Sequence, residues 1–401
     1  MKPGPFAADP GTRGHGTGLG RFRGRIVLAG ALSLLAWSLL QWVSPPVAVP
    51  WTASMKEAGD DMARALQRVA GHCRARGIEV DLVQDPNGTC LVGPRYTPLF
   101  TSLGQLEAKR TSLNPDVAGL LVHLLEKAGV SAGDTVAVGA SGSFPGLLVA
   151  ALAAVKAMRA HPVTILSLGA SSYGATRPDF HLLDLHLLLQ DGGLVSGPPA
   201  AVSLGGEGDL GVGFEEEVRE ELLGAVARVE APLLDEADLT SNVARRMGIY
   251  GHPAAFVNIG GAQANMGTSP AILEVPAGLV LPSPGRIPSD LTSFDRILLQ
   301  GSGDAGKGFS LALPPPDQRG VLFEMLARGV PVVHLLHIRG LALHHGLPWD
   351  PIPLPEPGST ALRNGELETD WGFWLLTVAF LGALAGIAGA GRGRRAAGPP
   401  I

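Results

Sequence analysis

The stretch Thr135-Val136-Ala137-Val138-Gly139-Ala140-Ser141-Gly142-Ser143-Phe144-Pro145-Gly146, followed by the apolar run 147–159, decides the fold. A short apolar run enters a glycine- and serine-rich elbow, and helical sequence follows, as expected of a buried strand turning into a covering helix. The pattern returns twice. Val163-Thr164-Ile165-Leu166-Ser167-Leu168 enters Gly169-Ala170-Ser171-Ser172-Tyr173-Gly174, and Ala255-Phe256-Val257-Asn258-Ile259 enters Gly260-Gly261-Ala262-Gln263-Ala264-Asn265-Met266-Gly267. A fourth strand is expected at residues 331–336. Short continuous apolar strands alternating with helices predict an α/β fold, a mostly parallel sheet with helices on both faces. In such sheets ligands sit beyond the carboxyl ends of the strands, where all three elbows fall.

Working outward, residues 52–76 carry Met55, Met62, Leu66 and Val69 at helical spacing. Residues 78–83 alternate like a strand, residues 85–89 supply turn chemistry, and Cys90-Leu91-Val92 returns, which reads as a hairpin. Residues 52–113 thus form a small N-terminal α+β subregion ahead of a main α/β core at 114–346. In the core, Asn114-Pro115-Asp116 starts a helix. Residues 179–191 and the glutamate-rich 214–229 read as further helices. Residues 271–307 read as irregular, and the proline-rich run from Leu347 as an extended stalk.

The ends set the location. Of 401 residues, 46% are hydrophobic and 17% charged, too apolar for a disordered chain. Residues 26–43 and 371–391 are almost free of polar side chains; the second fits the about 20 residues that cross a ~30 Å hydrocarbon core, and the first is near the lower limit of ~17. Arg13, Arg21, Arg23 and Arg25 precede the first segment; Arg392, Arg394 and Arg395 follow the second. The positive-inside rule then predicts two spans in a bacterial-type cytoplasmic (inner) membrane with both termini cytoplasmic. The expected order is a basic tail at 1–25, a span at 26–43, an extracytoplasmic domain at 44–355, a linker at 356–370, a span at 371–391 and a basic tail at 392–401. A cleaved signal peptide is the alternative for the first segment, but the proline-rich residues 44–50 offer a poor cleavage site. Residues 44–370 carry 23 Lys+Arg against 35 Asp+Glu, a net charge of −12, which argues against a nucleic-acid partner. An oxidising exterior permits a disulfide between Cys73 and Cys90, and sequence does not decide whether they meet.

The first elbow does not satisfy G-x-S-x-G, because Ser143 stands where the last glycine belongs, and it lacks the lysine of a phosphate-binding loop. Its glycines do expose backbone N–H groups at a helix start, which suits a carboxylate or phosphate. Ser141, Gly142, Ser172, Asn258, Gly260, Gly261 and Asn265 are therefore candidate ligand contacts, together with Lys109 and Arg110, two cations beside Thr111 and Ser112. The competing reading of these residues is helix capping and tight packing. His334 and His337 face opposite sides if they lie on a strand, and no compact metal signature is present. No metal or other cofactor is expected.

Several stretches together resemble the bacterial poly-γ-glutamate system proteins: residues 108–115, 136–145, 167–175 and 256–265, with His334-Leu335-Leu336-His337-Ile338 and Gly346-Leu347-Pro348 closing the match. The resemblance covers most of residues 50–355 and implies a pathway rather than a reaction: an accessory membrane component of poly-γ-glutamate synthesis or export. Implied partners are other synthase or export subunits and an end of the polymer. A second reading is an extracytoplasmic serine-dependent γ-glutamyl hydrolase or transferase, with Ser143 or Ser171 as nucleophile and His334 as base. A third is a membrane-tethered domain that binds a small anion.

Overall fold

The computed structural model describes residues 17–43, 47–229, 231–282, 296–301, 308–364 and 371–389. They fall into two compact units. One holds the helices Thr17–Val43 and Trp371–Gly389, which pack on each other. Among the described residues no helix is long and apolar enough to cross a membrane. Of the expected tails at 1–25 and 392–401, residues 17–25 are helical and the rest lie outside the described residues; the two expected spans rest on the sequence argument alone.

The other unit is α/β. Its main sheet is built from β2 (Thr135–Ser141), β3 (His161–Ser167), β5 (Ala201–Ser203), β6 (Ala255–Ile259), β7 (Gly278–Pro282), β8 (Arg296–Gly301), β9 (Gly308–Ala312) and β10 (Val332–Leu335); the short β1 (Phe100–Ser102) and β4 (Ala170–Ser171) pair separately in parallel. The strand order is β5-β3-β2-β6-β10-β7-β8-β9. The five strands from β5 to β10 are parallel, and β7, β8 and β9 extend the sheet antiparallel. From β2 the chain builds through β3 to β5 on one side. It then returns to the other side of β2 for β6 and β10. The loops leaving β2 and β6 therefore diverge, and that topological switch point is where a crevice opens in a parallel sheet.

Alternate residues of each strand feed two cores. Val136, Val138, Val257 and Val333 face one, Ala137, Ile165, Phe256 and Val332 the other. The first is covered by helices Ala53–Ala75, Asp116–Lys127, Pro145–Ala157 and Leu182–Asp191, the second by Leu239–Tyr250 and Val321–Ala327. Both faces are covered, which is why these strands are continuously apolar. Pro145 starts its helix in the first turn, where no N–H is needed. Beyond it Leu147, Leu148, Val149 and Leu152 are fully buried, each stabilising the fold by roughly 1.5–3 kcal/mol. Thr52 caps the first helix of this unit by accepting from Met55 N at 3.2 Å.

Four expectations change. Residues 78–92 form turns, not a hairpin: the Asp85 carboxylate accepts from Cys90 N at 2.7 Å and Thr89 Oγ1 at 3.0 Å, and Cys90 takes φ +66°. A disulfide joins Cys73 to Cys90 there, with Cα atoms 6.6 Å apart. The N-terminal subregion is not set apart, because β1 pairs with β4 across the elbow that follows β3. The stretch read as irregular contains β7 and β8, while residues 283–295 and 302–307 lie outside the described residues. The expected stalk and the described part of the linker lie on the core. Gly358 N and Thr360 N donate to the two Asp116 oxygens at 2.6 and 2.8 Å, and Val49 N donates to Leu362 O at 2.9 Å.

A candidate serine–lysine site at the switch point

The three elbows converge. Gly142 N donates to Ser167 O at 2.9 Å and Gly169 O at 3.1 Å, and Ala175 N returns to Gly142 O at 2.7 Å, so the loops after β2 and β3 are knitted together. The loop after β6 closes on them from the other side. Gly260 takes φ +76°, and a Cβ there would strike Ser141 Oγ, so the residue answers both to backbone conformation and to close approach. Across the junction Ser171 N donates to Ser143 Oγ at 3.1 Å. Sequence reasoning thus put Ser141, Gly142, Ser143, Ser171, Gly260 and Gly261 in one place, and the structure brings them together.

Lys109 completes the constellation. It lies in the short helix Leu106–Thr111, which β1 carries over the elbows through its pairing with β4. The side chain is 2% exposed. Its Nζ lies 2.7 Å from Ser171 Oγ, also bonds the Ser143 carbonyl oxygen, and sits 3.7 Å from the Phe144 ring centroid. Burial disfavours the charged form and lowers the Lys109 pKa from 10.5 to about 7. A lysine with a pKa near neutrality is in large part an unprotonated amine, able to accept a hydroxyl proton. Gly104 admits this approach, because a Cβ there would press within 3.0 Å of Ser171 Oγ and 3.1 Å of Lys109 Cε.

Two cavities meet at this point. One of about 220 Å³ is walled by Lys109, Ser143, Phe144, Ser171, His337 and Arg339. The larger, about 590 Å³, opens at the switch point between Ser141, Ser143, Ser167, Glu207, Gln263 and Phe214. Ser102, Ser143 and Gly261 line both. Ser171 is 7% and Ser143 8% exposed, so each hydroxyl is nearly buried yet faces a cavity.

The remaining candidates fare differently. His334 is no base for either serine in this geometry: it lies on β10 beside β6, its Nδ1 is 3.0 Å from Asn258 Nδ2, and burial lowers its pKa to about 4. The Asn258 amide nitrogen is taken up by that histidine and by Gly260 O at 3.2 Å, while its Oδ1 is buried without a partner. Arg110 does not reach the site. Its Nε and Nη2 clamp the two Asp350 oxygens, each at 2.6 Å, which pins the C-terminal strap to the helix bearing Lys109. Ser172 is fully buried with no hydrogen-bond partner for its hydroxyl. Asn265 lies behind the elbow, close enough to Gly139 that a Cβ there would come within 2.6 Å of its amide. Among the described residues no group of three or more His, Cys, Asp or Glu is placed to hold a metal ion.

Sequence reasoning missed the polar hub beneath the larger cavity. Arg246, fully buried, pairs with Asp209 and donates to Ser203 Oγ at 2.8 Å, Asn242 Oδ1 at 2.8 Å and Ser167 Oγ at 3.2 Å. Through Asp209 it fixes the glycine-rich loop 205–213 that walls this cavity. An arginine in an otherwise ordinary amphipathic helix gave no signal of that role. Compared with family models, with curated proteins and with solved structures, the chain finds no match.

Proposed function

We propose that this chain is a serine-dependent acyl-transfer enzyme acting on amides, with Ser171 as nucleophile and Lys109 as its general base. The observation that carries the proposal is the 2.7 Å approach of a desolvated Lys109 Nζ to Ser171 Oγ at a cavity wall. Neutral Lys109 accepts the Ser171 proton as Oγ attacks the carbonyl carbon, and returns it to the departing amine. The product is an ester on Ser171, which water or a second amine resolves. Ser143 holds the backbone of Ser171 through its Oγ. The N–H of Gly261, whose residue lines both cavities, is an available donor for the developing oxyanion.

The setting we propose is the outer face of a cytoplasmic membrane, with the terminal helices as anchors. The apolar segments 26–43 and 371–391, the arginines beyond them and the Cys73–Cys90 disulfide support it. The resemblance to poly-γ-glutamate system proteins supplies the pathway, and γ-glutamyl amides are the substrate it suggests. On this reading the chain works beside synthase or export subunits and touches the polymer locally, since the acidic surface repels a polyanion elsewhere. A purely accessory role in the same pathway is the second reading, favoured by the same sequence stretches and requiring no reactive serine.

The test is hydrolysis of a γ-glutamyl anilide by the full-length protein in detergent. Activity that disappears in both Ser171→Ala and Lys109→Met, with the far-ultraviolet spectrum unchanged, is the expected result. Activity that survives either substitution removes the dyad, and an inert wild-type protein leaves the accessory reading in its place.

A further inference from the structure

The dyad's cavity carries a charge signature that the dyad itself does not require. The cation Arg339 lines it beside His337 and the base Lys109, and no carboxylate does, although residues 44–370 carry a net charge of −12. Arg339 stands in the first turn of helix Ile338–His345, where the unbonded N–H groups add the positive end of the helix dipole. Its guanidinium carbon lies 5.8 Å from the Trp349 ring centroid, close enough for the indole face to orient it. The acid nearest in sequence to that indole, Asp350, is unavailable as a counter-ion, because both its oxygens are held by Arg110. Among the described residues Arg339 forms no ion pair, and it is exposed. A cation without an acid, on the wall of an acid-free cavity in an acidic domain, suits an anionic ligand.

The geometry points to a carboxylate-recognition site, in which Arg339 seats a free carboxylate on the group that occupies the cavity while Ser171 faces the scissile carbonyl. This inference rests on the serine–lysine reading and narrows it to amides whose cavity-bound group carries a carboxylate. Arg is suited to the task because its planar fork can grip both carboxylate oxygens. The volume of about 220 Å³ lies below the ~300–1,000 Å³ of sites for drug-sized ligands, so the cavity takes one amino-acyl-sized group rather than a length of chain.

The test separates binding from chemistry by using full-length Ser171→Ala protein in detergent and two probes, γ-glutamyl-p-nitroanilide and its α-carboxamide. Equilibrium binding is expected to favour the carboxylate probe at least tenfold. Adding Arg339→Met is expected to erase the preference, and Arg339→Lys to keep part of it. Equal affinity for the two probes, binding of neither, or a preference untouched by Arg339→Met overturns the inference. Because the nucleophile is already absent, none of these results bears on the dyad, which stands or falls on the activity of the parent protein.

Discussion

Replacing Lys109 by methionine should abolish activity and yet make the protein more stable at neutral pH. Holding the Lys109 pKa at about 7 against an ordinary 10.5 costs the fold about 4 kcal/mol at pH 7, at roughly 1.4 kcal/mol per pH unit. The sign follows from proton binding. Between these pKa values the unfolded chain holds the proton more tightly, so this term makes stability rise with pH from about 7 to 10.5 and leaves it lowest at and below 7. Methionine fills similar space without a charge, but leaves the Ser143 carbonyl and the Ser171 hydroxyl without their donor, a loss of about 1–3 kcal/mol. The net expectation is a gain of about 1–3 kcal/mol at pH 7, vanishing or turning into a small deficit at pH 9.5. Urea unfolding at the two pH values reads both. A Lys109→Met protein equally destabilised at pH 7 and 9.5 would show that Lys109 is a satisfied structural cation, and the argument for a neutral base would fail.

Other expectations follow from the same geometry. Ser143→Ala should keep the fold and lower kcat/KM about tenfold rather than abolish it, since Ser143 Oγ only steadies the Ser171 backbone; complete loss would contradict that supporting role. His186 is buried with both ring nitrogens unpartnered and its pKa lowered to about 4, so the unfolded chain binds its proton first as pH falls below about 6.5. His186→Leu should therefore stabilise the protein at pH 7 and lessen the stability lost between pH 7.5 and 5 by about 2 kcal/mol, as read by denaturant midpoints. Arg246→Met strands Asp209 as a buried charge and should cost about 3–5 kcal/mol, read by thermal or urea unfolding; a loss under 1 kcal/mol would contradict that role for the pair.

The parts of this structure that were legible are those whose signal is local. Continuous apolar runs gave β2, β3, β6 and β10 and both-face burial, because a strand covered on each side has no polar positions to spare. The glycine-rich elbows marked the carboxyl edge, and Ser143, Ser171 and Gly261 were placed in the site from that alone. The errors are non-local. Lys109 and Arg110 are adjacent and alike in sequence, yet one turns inward to Ser171, 62 residues away, and the other outward to Asp350, 240 residues away. Nothing in residues 107–112 distinguishes them; the pairing of β1 with β4 does. His334 is the expected base, but its strand register puts it opposite Asn258, in a desolvated position. The hairpin at 78–92 failed because the Asp85 cap and the disulfide hold that segment in turns instead.

The most direct measurement is to treat the full-length protein with a fluorophosphonate across pH 5 to 9 and locate the adduct by peptide mass spectrometry. Modification confined to Ser171, rising with pH through about 7 and absent in Lys109→Met, is what a lysine-activated serine requires. An adduct on another serine, or none at any pH, would contradict it.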